Sequence, residues 1–272
     1  MDGDEARNPP LAILPSVSKH VKMKIKPLTY ELSQGAMASV ENNVGEGTID
    51  LTKSKNKRKS NTMVVVFKES SQMNFYTPVI YKNALYAAFL PNPIHLFFAQ
   101  AIEHANSVDR AVKLFPGSIE QTLNPDTKGE FNIIKSDVYN YYLIYKISSI
   151  TSLIMAVESF VNNIIPENYE YVDLDKKYNK SDIERFYNLK DKITKIVPEI
   201  VNISNVSDYQ KLYSKVIEVN LLRNEFIHLK TKRDEKNGDP FIDHFESLIN
   251  LDLNEKINDV KNFINFLRPD YL

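Results

Sequence analysis

The stretch Val216-Ile217-Glu218-Val219-Asn220-Leu221-Leu222-Arg223-Asn224-Glu225-Phe226-Ile227-His228 decides how the second half of this chain is read. Val216, Val219 and Leu222 recur at three-residue spacing, the mark of an amphipathic helix with one buried stripe. The last six residues place a guanidinium, an amide and an imidazole within about two turns of that helix. Arg223 and His228 lie about 140° apart around an ideal axis, whereas Asn224 and His228 lie about 40° apart and share a face. A helix starting near Ser207-Asp208 and passing through Leu212 to about Lys230 accommodates the whole stretch.

Outward from it, three more segments have helical period. One starts at Ser136-Asp137, a plausible N-cap, and passes through Tyr141, Ile144, Ile147, Ile154, Val157 and Val161 to Pro166. Another starts at Ser181-Asp182-Ile183-Glu184, which fits a capping box, and runs towards Pro198. A last one spans roughly Asn254 to Leu267, with Ile257, Val260, Phe263 and Phe266 on one stripe. The pattern predicts a mainly α fold with a C-terminal antiparallel four-helix bundle over 137–272.

The polar run Asn124 to Glu130 marks the expected boundary, leaving a small N-terminal α+β region over 1–136. Within it, Pro9, Pro10 and Pro15 predict a loosely held terminus over 1–18, and strands are expected over about 20–68. The alternation Val21 to Lys26 ends at Pro27, while Gly47 to Thr52 and Thr62 to Lys68 flank the basic run Lys53 to Asn61 as a long hairpin. Helices are expected over about 79–115, as Val79 to Leu90 and Ile94 to Phe115 separated by Pro91-Asn92-Pro93.

The 272 residues are 43% hydrophobic and 25% charged, enough to bury a substantial core. A formal charge of −1 supplies no global basic field, so any contact with nucleic acid must be local. The absence of cysteine excludes disulfides, thiol nucleophiles, thiolate zinc sites and iron–sulfur clusters. Met1-Asp2-Gly3-Asp4-Glu5 lacks the positive start of a secretory signal, and the most apolar stretch, Ile147 to Val157, predicts a buried helix rather than a membrane span. A cytoplasmic protein with no membrane partner and no cofactor is expected.

An arginine followed directly by asparagine, with apolar Phe226 and Ile227 before the histidine, late in the third of four helices, resembles the Arg-X4-His signature of the HEPN superfamily. Ala156-Val157-Glu158-Ser159-Phe160-Val161-Asn162 is similar to the Glu- and Asn-bearing stretch that first bundle helices in that superfamily often carry. The resemblance covers about 130 residues, from near Asp137 to near Arg268, and does not reach the N-terminal half. It implies a metal-independent endoribonuclease acting as a toxin or in antiviral defence. It also implies a homodimer in which two copies of the motif form one cleft.

On that resemblance His228 is the general acid/base, Arg223 stabilises the phosphate and Asn224 positions groups around the scissile bond. Glu158 orients His228, pairs with Arg223, or is an edge carboxylate of the bundle. Lys230, Lys232 and Arg233 follow directly and are placed to bind flanking phosphates of the RNA partner. An antitoxin or regulatory protein is a further implied partner. Some HEPN toxins are modified on a tyrosine two residues after the histidine; here that position is Lys230, which puts such control in doubt.

The chemistry also stands on its own terms. RNA carries its nucleophile, the 2′-hydroxyl, so cleavage needs a base for that proton, positive charge for the phosphorane and an acid for the leaving oxygen. Imidazole exchanges protons near neutral pH and guanidinium holds two phosphate oxygens, with a 2′,3′-cyclic phosphate and a 5′-hydroxyl as expected products. The rival reading is a non-catalytic HEPN-like module that dimerises and binds RNA, nucleotide or protein.

Other candidates are weaker. The basic run Lys53 to Lys59 contains no aromatic and reads first as a solubilising loop. His95, Glu103 and His104 match no metal spacing, and His244-Phe245-Glu246 lacks the cysteines of a zinc deaminase. No phosphate-binding glycine loop, Gly-X-Ser-X-Gly elbow or His-Glu-X-X-His helix occurs.

Overall fold

A computed structural model describes residues 23, 25–31, 63–67, 71–82, 84–123, 131–227 and 240–272. It is mainly helical. Helices α1 (Pro93–Leu114) and α2 (Ser136–Ile164) pack along each other and supply much of the core. On α2, Ile150, Leu153, Ile154, Ala156, Val157, Phe160 and Val161 are each at most 1% exposed. Alpha-2 is the one described helix long and apolar enough to span a membrane, and its most apolar stretch lies inside the core, as expected for a buried helix. Ser149 Oγ donates to the Ala101 carbonyl across the α1–α2 contact at 2.9 Å.

Beyond α2 come α3 (Lys180–Phe186) and α4, which covers 189–200 as Leu189–Asp191, a π-helical turn at Lys192–Ile196, and Val197–Ile200. Then follow α5 (Val206–Ile227), α6 (Pro240–Asn250) and α7 (Leu253–Leu267). Helices α5 and α7 both pack on α2 and on each other, burying Val216, Val219, Val260, Phe263 and Ile264. Polar cross-ties fix their positions. Tyr209 Oη on α5 donates to the Ile193 carbonyl at 2.6 Å, Lys215 Nζ reaches Asp259 on α7 at 2.6 Å, and Lys146 Nζ on α2 donates to the Ile249 carbonyl at 2.6 Å. One hydrophobic cluster takes in residues from both sides of position 136, with Ile94 and Phe98 of α1 beside Phe160 and Phe263.

A four-stranded antiparallel sheet precedes α1, built from β1 (Thr29–Glu31), β2 (Met63–Phe67), β3 (Gln72–Tyr81) and β4 (Ala84–Phe89). The helix expected over Val79 to Leu90 is therefore a hairpin. Lys82 takes a left-handed backbone (φ 47°) at the turn, and the flanking Val79-Ile80-Tyr81 and Leu85-Tyr86 have side chains suited to a pleated surface. Pro78 lies past Tyr76, the last β3 residue paired with β2, so one edge of the strand has no described partner there and the missing N–H is tolerated.

Met23, Ile25 and Lys26 are not in a strand; the first described strand lies beyond Pro27, which itself bridges to Pro91. The strand expected at Thr62 to Lys68 is present as β2, whereas Gly47 to Thr52, the basic run Lys53 to Asn61, residues 1–18 and the polar run Asn124 to Glu130 lie outside the described residues. Two further hairpins had no reading in the sequence: β5 (Ile119–Leu123) with β6 (Phe131–Ile134), and β7 (Glu170–Asp173) with β8 (Lys176–Asn179).

Caps differ from expectation in two places. Ser136 is the first residue of α2 rather than its cap; Lys135 holds the cap position and makes no side-chain capping bond. The capping box belongs to Asn179 and Asp182, not to Ser181 and Glu184, and the helix it starts ends at Phe186 instead of continuing to Pro198. Asn179→Ala is expected to cost about 0.5–2 kcal/mol, read as a lower urea midpoint at unchanged slope.

The final residues fold back on the start of α1. Tyr271 Oη accepts from Asn92 Nδ2 at 3.0 Å, its carbonyl accepts from Lys26 Nζ at 3.3 Å, and its ring lies 5.2 Å from His95 and 5.5 Å from Phe160. His95 is 1% exposed with Nδ1 lacking a hydrogen bond among the described residues. Burial, aided by the nearby Lys26 charge, pushes its pKa down to about 4. Because the folded value lies below the unfolded one, the neutral imidazole favours the fold fully above pH 6.5, and that advantage is lost as pH falls towards 4. Denaturant melts at pH 7 and pH 4 should show on the order of 3 kcal/mol lost from this group, a loss that His95→Phe should remove.

Candidate functional site

A cleft of about 310 Å³ opens where α2, α3, α4 and α5 meet. Alpha-2 contributes Glu158 and Asn162, α5 contributes Asn220, Arg223 and Asn224, and α3 contributes Glu184. Tyr187 and Asn188 form the break between α3 and α4, and Leu189 and Lys192 come from α4. Four residues singled out in the sequence, Glu158, Asn162, Arg223 and Asn224, thus reach one cleft from two helices far apart in the chain. His228, Lys230, Lys232 and Arg233 lie outside the described residues.

The position of Arg223 follows from helix periodicity. Val216, Val219 and Phe226 are buried, so the neighbouring face of α5 carries Asn220, Arg223 and Asn224 at three- and four-residue spacing. Arg223 Nη1 donates to Asn224 Oδ1 at 2.9 Å. Its Nε is buried and makes no hydrogen bond among the described residues. Glu158 lines the same cleft without an ion pair or hydrogen bond among the described residues, so the pairing with Arg223 raised by the sequence is not made there. Asn220 is 9% exposed and likewise unpaired.

Lys192 was not picked out in the sequence. It is 6% exposed and sits at the start of the π turn, where Nζ donates to Asn162 Oδ1 at 2.9 Å and to the Glu184 carbonyl at 3.1 Å. Burial lowers its pKa, and the carboxylates of Glu158 and Glu184 oppose that shift. An ammonium has three N–H donors, so one remains beyond these two bonds. Lysine within an apolar helix ordinarily reads as a surface residue; only its phase beside Ile193 and Ile196 hints otherwise. Single-turn π insertions occur often at functional sites.

The walls are held firmly. Tyr187 Oη donates to Asp173 at 3.2 Å, and its ring makes edge contacts with Tyr171 and Tyr178. Asn188 caps α4, accepting from the Asp191 N–H at 2.8 Å and donating to the Asp191 carboxylate at 2.6 Å. At the end of α5, Phe226 packs edge-on to Phe245 at 5.3 Å and Glu225 meets His244 Nδ1 at 3.1 Å, which docks α6 against the motif-bearing helix.

Among the described residues, the remaining candidates do not come together as a site. His95 is buried, and His104 stacks on Tyr145 at 6.1 Å while contacting Gln100. No group of three His, Cys, Asp or Glu suited to a metal ion occurs among the described residues. Comparison with protein-family models, with curated proteins and with solved structures finds no match for this chain.

Proposed function

We propose that this protein is a HEPN-type, metal-independent endoribonuclease acting in the cytoplasm as a toxin or antiviral factor. In this reading its helices form a HEPN-like bundle, and a homodimer presents two copies of the motif to one RNA strand. The observation that carries the proposal is the convergence of Arg223, Asn224, Glu158 and Asn162 on a single cleft. Arg223, whose Nε makes no hydrogen bond among the described residues, supplies charge and donors to the phosphorane. His228, the next residue after the described end of α5, exchanges protons with the 2′-hydroxyl or the leaving oxygen. Its two-fold mate serves the opposite end of the reaction. Asn224 holds the guanidinium by the 2.9 Å bond, and Lys230, Lys232 and Arg233 bind flanking phosphates.

Purified protein incubated with RNA in EDTA should release fragments ending in 2′,3′-cyclic phosphate, and His228→Ala should abolish that release. Cleavage absent from the wild type, or equal in both proteins, defeats the mechanism. RNA retained without cleavage favours the non-catalytic binding module instead.

A further inference from the structure

We infer that the cleft seats one guanine base of the RNA, read by Glu158, Lys192 and Asn220. This rests on the ribonuclease reading for the identity of the polymer, but the base preference follows from the donors and acceptors left open in the cleft.

The charges of the described lining residues cancel, Glu158 and Glu184 offsetting Lys192 and Arg223. Arg223 serves the phosphate in the ribonuclease reading, and the part of the cleft beside Glu158, Lys192 and Asn220 has no surplus of positive charge for a second one. It favours a neutral group with a polar edge. A volume of about 310 Å³ is at the small end of ligand pockets, which run from roughly 300 to 1,000 Å³ and so suits a single nucleotide here. Leu189 gives an apolar patch and Tyr187 a ring already fixed by Asp173.

The open groups then select among the bases. Among the described residues, Glu158 is an acceptor with neither oxygen engaged, Lys192 has one N–H left, and Asn220 has both a donor and an acceptor free. Glu158 and Lys192 both line the cleft without an ion pair between them, so an acceptor and a donor are present that do not bond to each other. Guanine presents the matching edge. Its N1–H and N2–H₂ together fill a carboxylate, and its O6 and N7 accept from an ammonium or amide. Adenine offers one donor group beside an acceptor, uracil one N–H between two acceptors, and cytosine one amino group, so none fills the carboxylate with two donors.

Equilibrium dialysis of the full-length protein against the four nucleoside 3′-monophosphates tests this. Binding of 3′-GMP should exceed that of 3′-AMP, 3′-CMP and 3′-UMP by at least about tenfold. Glu158→Gln, which keeps shape but loses the double acceptor, and Asn220→Ala should each bring the four within about twofold, with melting temperatures checked in parallel. The two variants act independently, so a folding failure in one leaves the other to decide. Equal binding of all four, binding of none, or a guanine preference that survives in a folded variant overturns the inference. Mapping cut sites on an RNA containing all four bases separates it from the ribonuclease reading: guanine preference without cleavage removes the nuclease and keeps the base site, whereas cleavage without base preference does the reverse.

Discussion

On the proposed ribonuclease reading, Arg223→Ala is expected to lower RNA cleavage by about 10²- to 10³-fold with little change in RNA binding, the loss found when one preorganised donor to a developing oxyanion is removed. The guanidinium is already oriented, with Nη1 tied to Asn224 at 2.9 Å and Nε buried without a partner among the described residues. In that reading no reorganisation is needed as charge builds on the phosphorane. Arg223→Lys should recover little, because an ammonium is a single point charge and cannot present two parallel donors. Asn224→Ala should cost less than either, since it removes an orienting bond and leaves the charge. Kinetics on one defined RNA, with the rate and KM separated, decides the matter. A defect confined to KM would reassign Arg223 to uniform substrate binding.

The second large effect concerns the core behind the cleft. Phe160 is 0% exposed on α2, two residues after Glu158, and its ring lies 5.5 Å from that of Tyr271. Phe160→Ala is expected to cost about 3–5 kcal/mol through lost burial and the cavity left behind. In a chain of this size that corresponds to a fall in Tm on the order of 10 °C. Thermal melts check it, and a loss below about 1 kcal/mol would mean that the α2 face is loosely packed. Phe160 and Glu158 leave the helix on different faces, so Phe160→Leu should restore most stability without touching the cleft's polar groups.

The long helices were legible in the sequence because their buried stripes are wide and repeat over several turns. Alpha-2 and α7 match their expected bounds within a residue or two, as does α1 against Ile94 to Phe115. Alpha-6 was missed although Phe245 and Leu248 face inward, because it lasts only about three turns and Pro240 reads as a breaker although proline is tolerated in a first helical turn. The β7–β8 hairpin turns through Leu174 and Asp175, both with positive φ, and an exposed leucine there gives none of the asparagine–glycine chemistry that announces such turns. The β3–β4 segment failed for another reason. Its apolar residues are dense enough to satisfy a helical stripe and a strand alike, and only the pairing of β3 with β4 decides between them.

For the cleft, the sequence supplied Glu158, Asn162, Arg223 and Asn224 but not Lys192, Asn188 or Asn220. Motif resemblance points only at positions inside the motif, whereas these three enter the cleft because of which way each helix is turned.

The π turn in α4 has a consequence for chain length. Ile193 and Val197 enter the main core, Ile196 enters a second cluster with Ile165, Tyr171 and Ile183 beneath the β7–β8 hairpin, and Lys192 faces the cleft. Three destinations are served from one short helix because it carries a residue more than α-helical winding needs between Lys192 and Ile196. Deleting Thr194 would restore ordinary winding but rotate one half of the helix against the other by about 100°. Either Ile193 would leave the core or Ile196 would leave its cluster, and Lys192 would lose its register with Asn162. A substitution in this helix is thus a local matter, whereas a one-residue change of length dephases the site from both of the cores that hold it.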